Sequence, residues 1–242
     1  MLFTYVHTNM LRLQNIDAVI VDLDGTMVDT LDDFVVALNL MLADLPPLSN
    51  ARVDRETVAR LVGKGSENLI KSVLAHVNTA PAAIDLGVDE LLALYEPAWH
   101  SYQRHYLAIN GQNAHVFPGV VAGLTHLKSR GLKLACLTNK PTEFALALLK
   151  AKGLDGFFEL TFGGDAFERK KPDPLPLLKT CEALGSAPQR TLMIGDSSND
   201  AQAARAAGCP VLLVTYGYNH GEPIRAVDAD GFTDSLQSLI PA

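Results

Sequence analysis

Four short, nearly continuous apolar runs constrain this chain more than any other feature: "IDAVIV" (Ile16 to Val21), "LKLACL" (Leu132 to Leu137), "TLMI" (Thr191 to Ile194) and "PVLLV" (Pro210 to Val214). A strand with one wet face alternates apolar and polar residues, whereas a run without alternation is buried on both faces. Between and beside these runs lie the helical patterns "VVAGLTHLKSRG", "TEFALALLKAKG", "PLPLLKTCEALG" and "NDAQAARAAG", which stop at Gly131, Gly153, Gly185 and Gly208. Glycine suits the left-handed residue that closes a helix. Strands alternating with helices predict an α/β fold, a doubly wound and mostly parallel sheet, with ligands outside the carboxyl ends of the strands.

Residues 30–114 break the alternation, because "LDDFVVALNLMLADL", "DRETVARLV", "SENLIKSVLAHV" and "VDELLALYEPAWHSYQRHYLAI" all carry helical spacing. They predict an all-helical module inserted after the first strand, with "LPPLSN" and "NGQNAHVFPG" as its turns and residues 1–29 and 115–242 as the main domain. A length of 242 residues at 48% apolar content suits such a core with an insertion. The net charge of −7 argues against nucleic acid or an anionic membrane as partner, since both reward clustered Lys and Arg. Cys136, Cys181 and Cys209 are odd in number and scattered, so they read as core residues of a reduced, cytoplasmic protein rather than a disulfide framework. The opening "MLFTYVHTNMLRLQN" lacks the basic-then-apolar order of a signal peptide, and Met10 is a second candidate start.

Acids recur where strands end. Asp22 directly follows the first apolar run and Asp24 lies two residues on, so in an extended chain both lean to one side before Gly25 permits a turn. A carboxylate there can attack phosphorus, and a second can move the leaving-group proton. The same residues also suit an Asx-type turn, with Asp29 capping the next helix. A second cluster, "MIGDSSND", sets Asp196 and Asp200 after another strand, where acids either complement a helix dipole or join Asp22 around a cation. Carboxylates facing an anionic phosphate favour Mg²⁺. Thr138 and Asn139 end "LKLACLTN", as phosphate donors or a helix N-cap. In "ERKKPDP", Lys170 and Lys171 are either a solvated loop or a source of the positive charge that Asp22 and a phosphoryl group need. His100 and His105, five apart, do not share a helix face as a metal pair would; His220 reads as a loop residue and Trp99 as packing inside the insertion.

In this order, "DLDGT" (Asp22 to Thr26), "LTN" (Leu137 to Asn139), "KKPDP" around Lys171 and "GDSSND" (Gly195 to Asp200) resemble the four motifs of the haloacid dehalogenase superfamily of phosphotransferases, over nearly the whole chain. The resemblance implies a Rossmann-like core with a helical cap. It implies Asp22 as nucleophile, Asp24 as general acid/base, and Thr138, Asn139 and Lys171 around the phosphoryl group. It further implies Mg²⁺ held by Asp22, the Asp24 main chain, Asp196 and Asp200. An acid at Asp24 sets the chain apart from the superfamily's dehalogenases and ion pumps. The segments "VGKGSENLI", "FPGV" and "AARAAGCPVLLVTYGYNHGEP" resemble the branch of bacterial phosphoglycolate phosphatases. That branch implies hydrolysis of 2-phosphoglycolate by a monomer or homodimer, with the Gly63–Lys64–Gly65 loop reaching the site unless it is merely the end of one helix and the start of the next. It makes Lys64, then Arg60, the candidate cation for the substrate carboxylate. Another small phosphoester, a sugar phosphate handled by a mutase, and a non-catalytic phosphate-binding protein on the same fold are the alternatives; the last predicts loss of acids that this chain retains.

Overall fold

The computed structural model describes residues 15–79 and 86–240; most of the opening segment, Met10 included, lies outside the described residues. The apolar runs become strands β1 (Ala18–Val21), β4 (Lys133–Leu137), β6 (Thr191–Gly195) and β7 (Val211–Val214). They lie in one six-stranded sheet ordered β5-β4-β1-β6-β7-β8, every pairing of which is parallel. Successive side chains enter opposite layers. Val19, Val21, Leu134, Cys136, Leu192 and Ile194 join one buried cluster, while Ala18, Ile20, Ala135, Leu137 and Met193 join another. This is why these strands show no alternation in sequence.

Helices α6 (Val120–Ser129) and α7 (Thr142–Ala151) cover the first layer, and α8 (Leu175–Leu184) and α9 (Ser198–Ala207) the second, so the sheet is doubly wound. All four helix-ending glycines take positive φ, from 63 to 78°. The flanking strands β5 (Leu160–Phe162) and β8 (Gly231–Thr233) lack an apolar signal, because all their residues are half-buried. Edge strands need neither length nor full burial once a neighbour supplies the ladder.

A two-residue antiparallel ribbon, β2 (Val28–Asp29) with β3 (His115–Val116), clamps together the outgoing and returning chain. Beyond it stand α1 (Leu31–Ala43), α2 (Arg55–Leu61), α3 (Ser66–Thr79), α4 (Val88–Ala93) and α5 (Tyr95–Ile109), gathered around their own apolar cluster. Buried Asp33 fastens the return: its carboxylate accepts from the Gly111 and Asn113 amides at 2.6 and 2.7 Å. The last helical pattern is one segment in sequence and two helices in the fold. Pro97, in the first turn of α5, has no N–H to continue the ladder from α4.

Other local expectations shift. Asp29 is not the cap of α1: Thr30 holds that position without a side-chain cap bond, and Asp29, one residue earlier, accepts from Leu31 N at 3.3 Å, pairs with Arg55 at 2.6 Å and accepts from Tyr218 Oη at 2.9 Å. Trp99 packs against the insertion's cluster only half-buried, and His105 bonds Asp44 at 2.8 Å. The cysteines are free and buried, with Cys181 Sγ 3.9 Å from Cys209 Sγ. Among the described residues, no helix is long and apolar enough to cross a membrane.

Candidate active site

Strands β1 and β6 are neighbours in register, Val21 beside Ile194, so the residues after each strand emerge at the same sheet edge. Asp22 N donates to Ile194 O at 2.9 Å, fixing the first carboxylate there. Three residues later Gly25 turns the chain at φ 84°, and a Cβ on it would stand 2.2 Å from Asp196 Oδ2. The glycine is therefore demanded twice, by the left-handed turn and by the second acid. Gly25→Ala is expected to cost ~2 kcal/mol or more from backbone strain and displacement of Asp196, read as a lower melting temperature. An unchanged melt would show that the turn relaxes freely.

Asp22, Asp196 and Asp200 each offer an oxygen within 4.8 Å of the others, all buried. Burial drives the Asp22 carboxyl up to about 7, Lys171 opposing and Asp200 adding to the rise. Burial likewise holds Asp196 well above the usual carboxylate range, with Asp200 and Asp22 reinforcing it. Asp200 is anchored at both oxygens. Oδ2 accepts from Ser197 Oγ at 2.7 Å and from the Ser197 and Asp196 amides, closing a capping box on α9, while Oδ1 accepts from Lys171 Nζ at 2.7 Å. The one side chain thus serves the N-terminus of α9 and belongs to the acidic cluster at once.

Lys171, 2% exposed at its side chain, donates to Leu137 O at 2.8 Å and stands 2.8 Å from Asp22 Oδ1. That last contact is not aligned as a hydrogen bond, and Asp22 Oδ1 has no donor. A buried carboxylate oxygen without a partner is costly. The cleft holds Asp22, Asp24, Asp196 and Asp200 against Lys140 and Lys171, a formal excess of two negative charges. The donor set, its charge deficit and the orphaned oxygen fit a divalent cation with oxygen ligands.

Asn139 is a brace. Its Oδ1 accepts from Lys171 N at 3.0 Å and its Nδ2 donates to Lys171 O at 2.8 Å and to Gly63 O at 3.2 Å. Neither it nor Thr138 caps α7, which starts after Pro141. Thr138 lines the cleft and accepts from Lys140 N, so its own proton is free for a ligand. The insertion packs against the rim of the cleft. Gly63 O also accepts from Asn199, and His220 Nδ1 donates to Val62 O at 2.8 Å. Burial lowers the His220 pKa and favours a neutral ring, whose Nε2 then accepts from Asn199. Gly63 and Gly65 line the cleft, but Lys64 between them is exposed, and Arg60 turns to Glu56 at 2.7 Å.

Sequence reasoning passed over Lys140, although it directly follows Thr138 and Asn139 at a strand end. Its Nζ lies 3.0 Å from Asp24 Oδ1 and donates to Tyr106 Oη at 2.5 Å. Tyr106 and Asn199 carried no signal either, since their roles depend on where α5 and α9 meet the cleft. The ensemble brings a buried carboxylate, a second acid two residues on and two ammonium groups together beneath the Gly63–Gly65 loop.

Residues 16–208 match the family model described as a hydrolase, haloacid dehalogenase-like. A phosphoglycolate phosphatase of Thiobacillus denitrificans is 45% identical over 221 residues, covering 91% of this chain and 92% of the relative. One from Shigella boydii is 35% identical, covering 96% and 94%. The crystal structure of a predicted phosphoglycolate phosphatase from Haemophilus somnus superposes with a TM-score of 0.85 at 29% identity, covering 93% and 96%.

Proposed function

The chain belongs to the haloacid dehalogenase-like hydrolases, and from that premise we propose that it is a phosphatase hydrolysing 2-phosphoglycolate to glycolate and phosphate. The observation that carries the reading is the placement of Asp22 and Asp24 in one cleft, with Lys171 Nζ 2.8 Å from Asp22 Oδ1. A carboxylate oxygen of Asp22 attacks phosphorus and the bond to the glycolate oxygen breaks, leaving an aspartyl phosphate. Asp24 gives its proton to that departing oxygen. It then takes one from the water that attacks the phosphoenzyme, so phosphate leaves and both acids return to their starting states.

Lys171 and the Thr138 hydroxyl hold phosphoryl oxygens, and Asn139 keeps Lys171 in place. Asp22, Asp196, Asp200 and the Asp24 main chain would hold Mg²⁺, which supplies charge neutralisation for the phosphoryl group. Residues 30–114 act as a cap whose Gly63–Gly65 loop excludes water while substrate is bound, and residues 1–29 and 115–242 form the catalytic core. In this reading the enzyme is cytoplasmic, a monomer or homodimer, and its partner is a small phosphoester rather than nucleic acid or membrane.

Phosphate release from 2-phosphoglycolate, nucleotides and hexose phosphates, each with Mg²⁺ and with EDTA, tests the proposal. Metal-dependent preference for 2-phosphoglycolate is expected; preference for another ester would remove the substrate and keep the mechanism.

A linked prediction concerns stability. Without metal, Asp22 titrates near 7 in the fold against 3.8 in the unfolded chain. Between those values the fold keeps a proton that the unfolded chain releases, so this group's contribution falls as pH rises from about 4 to about 7. Mg²⁺ replaces that proton, and its stabilisation should be larger at pH 8 than at pH 5. Melting temperatures with and without Mg²⁺ at both pH values check this; an equal increment would place the bound metal elsewhere.

A further inference from the structure

Among the described residues, two ammonium groups face the cleft, and they are engaged differently. Lys171 donates to Leu137 O and Asp200 and stands 2.8 Å from Asp22 Oδ1, beside the nucleophile. Lys140 stands on the other acid, donating to the Asp24 carboxylate at 3.0 and 3.3 Å and to the Tyr106 hydroxyl at 2.5 Å. Its side chain is 2% exposed. The rings of Phe34 and Tyr106 each stand 4.7 Å from Nζ, so its charge sits against aromatic faces rather than water. Among the described residues the insertion brings no rival cation to the cleft: Phe34, Val62, Ser66 and Leu69 are uncharged, and Lys64 and Arg60 do not line it.

We infer that Lys140 is the specificity-determining residue, donating to the carboxylate that the substrate carries on its leaving group. The inference rests on the phosphoglycolate reading and deepens it. The oxygen that Asp24 protonates is bonded to the methylene carbon that bears the carboxylate. The carboxylate therefore begins two bonds beyond an atom in contact with Asp24, and Lys140 Nζ is 3.0 Å from that same acid. One ammonium thus spans the proton donor and the substrate's second charge. Of the insertion's residues at the cleft, Phe34, Val62 and Leu69 are apolar and Ser66 offers one hydroxyl, which leaves Lys140 as the cation beside Asp24. An ester without that charge leaves a desolvated cation only partly matched, which is how a polar site rejects an analogue.

The experiment compares wild type and Lys140→Met on 2-phosphoglycolate and on ethyl phosphate, which lacks the carboxylate. Values of kcat and KM are taken separately, and competitive inhibition by inorganic phosphate serves as the check that the site is folded. Loss of the Asp24 partner should lower kcat for both esters by a similar factor. KM should rise for 2-phosphoglycolate alone, so the ratio of kcat/KM between the two esters falls about 100-fold. Lys140→Arg, which keeps the charge, should recover most of the ratio.

If Lys140→Met keeps the wild-type ratio, Lys140 only positions Asp24 and the inference is overturned while the function stands. If wild type itself does not prefer 2-phosphoglycolate, the functional reading falls and the inference with it. Should Lys140→Met fail to respond to phosphate, Lys140→Gln is read by the same ratio.

Discussion

Asp22→Asn is expected to abolish phosphate release, by at least about 10⁴-fold, while leaving a folded protein. An amide of the same shape keeps the strand-end bond from the Asp22 amide to Ile194 O, which belongs to the backbone. It cannot supply the carboxylate oxygen that bonds to phosphorus. The substitution also removes one of three crowded, buried acids, and burial, reinforced by neighbouring carboxylates, raises the proton affinity of Asp22 and Asp196. In EDTA at pH 8 the variant should therefore melt no lower than wild type, and its increment on adding Mg²⁺ should shrink. Single-turnover quenching completes the test, since wild type should trap acid-stable, protein-bound phosphate and the variant none. Substantial turnover by Asp22→Asn would remove this residue as nucleophile.

Lys171→Met is expected to damage stability and activity together. Its ammonium lies between Asp22 and Asp200 at 2.8 and 2.7 Å, and all three side chains are buried. Removing one partner of a buried ionic set strands the others, at a cost of about 3–5 kcal/mol, or roughly 10 °C in melting temperature for a chain of this size. The stranded acids can take up protons, so the loss should be larger at pH 8 than at pH 5. Phosphate release should fall by about 10²–10³-fold, because no fixed cation then meets the phosphoryl charge. A variant that melts within a degree of wild type would show that the acids find another neutraliser.

The fold was legible wherever burial is periodic along the chain. Strands β1, β4, β6 and β7 are buried on both faces, and the glycines closing the helices of the sheet layers announced the left-handed turns that the structure contains. Strands β5 and β8 were not legible, because their pairing depends on an existing neighbour rather than on their own residues. The break between α4 and α5 was hidden by a helical period that continues through it. Pro97 was its one local sign.

For the site, order along the chain was enough to assemble Asp22, Asp24, Asp196 and Asp200, because parallel strands deliver their ends to one edge whatever lies between them. The chain's own pattern thus determined the four central strands of the sheet and the acids of the cleft. Which cations meet those acids was decided only in three dimensions. Lys64 sits in a loop that reaches the cleft, yet its two glycines turn it outward, while Lys140 points in toward Asp24 beneath Tyr106. The docking of Gly63 against Asn139, 76 residues away in the chain, likewise has no local signature. Periodicity records which side of its own element a residue occupies. The surface met there depends on how one element packs against another, and that is fixed by the whole fold.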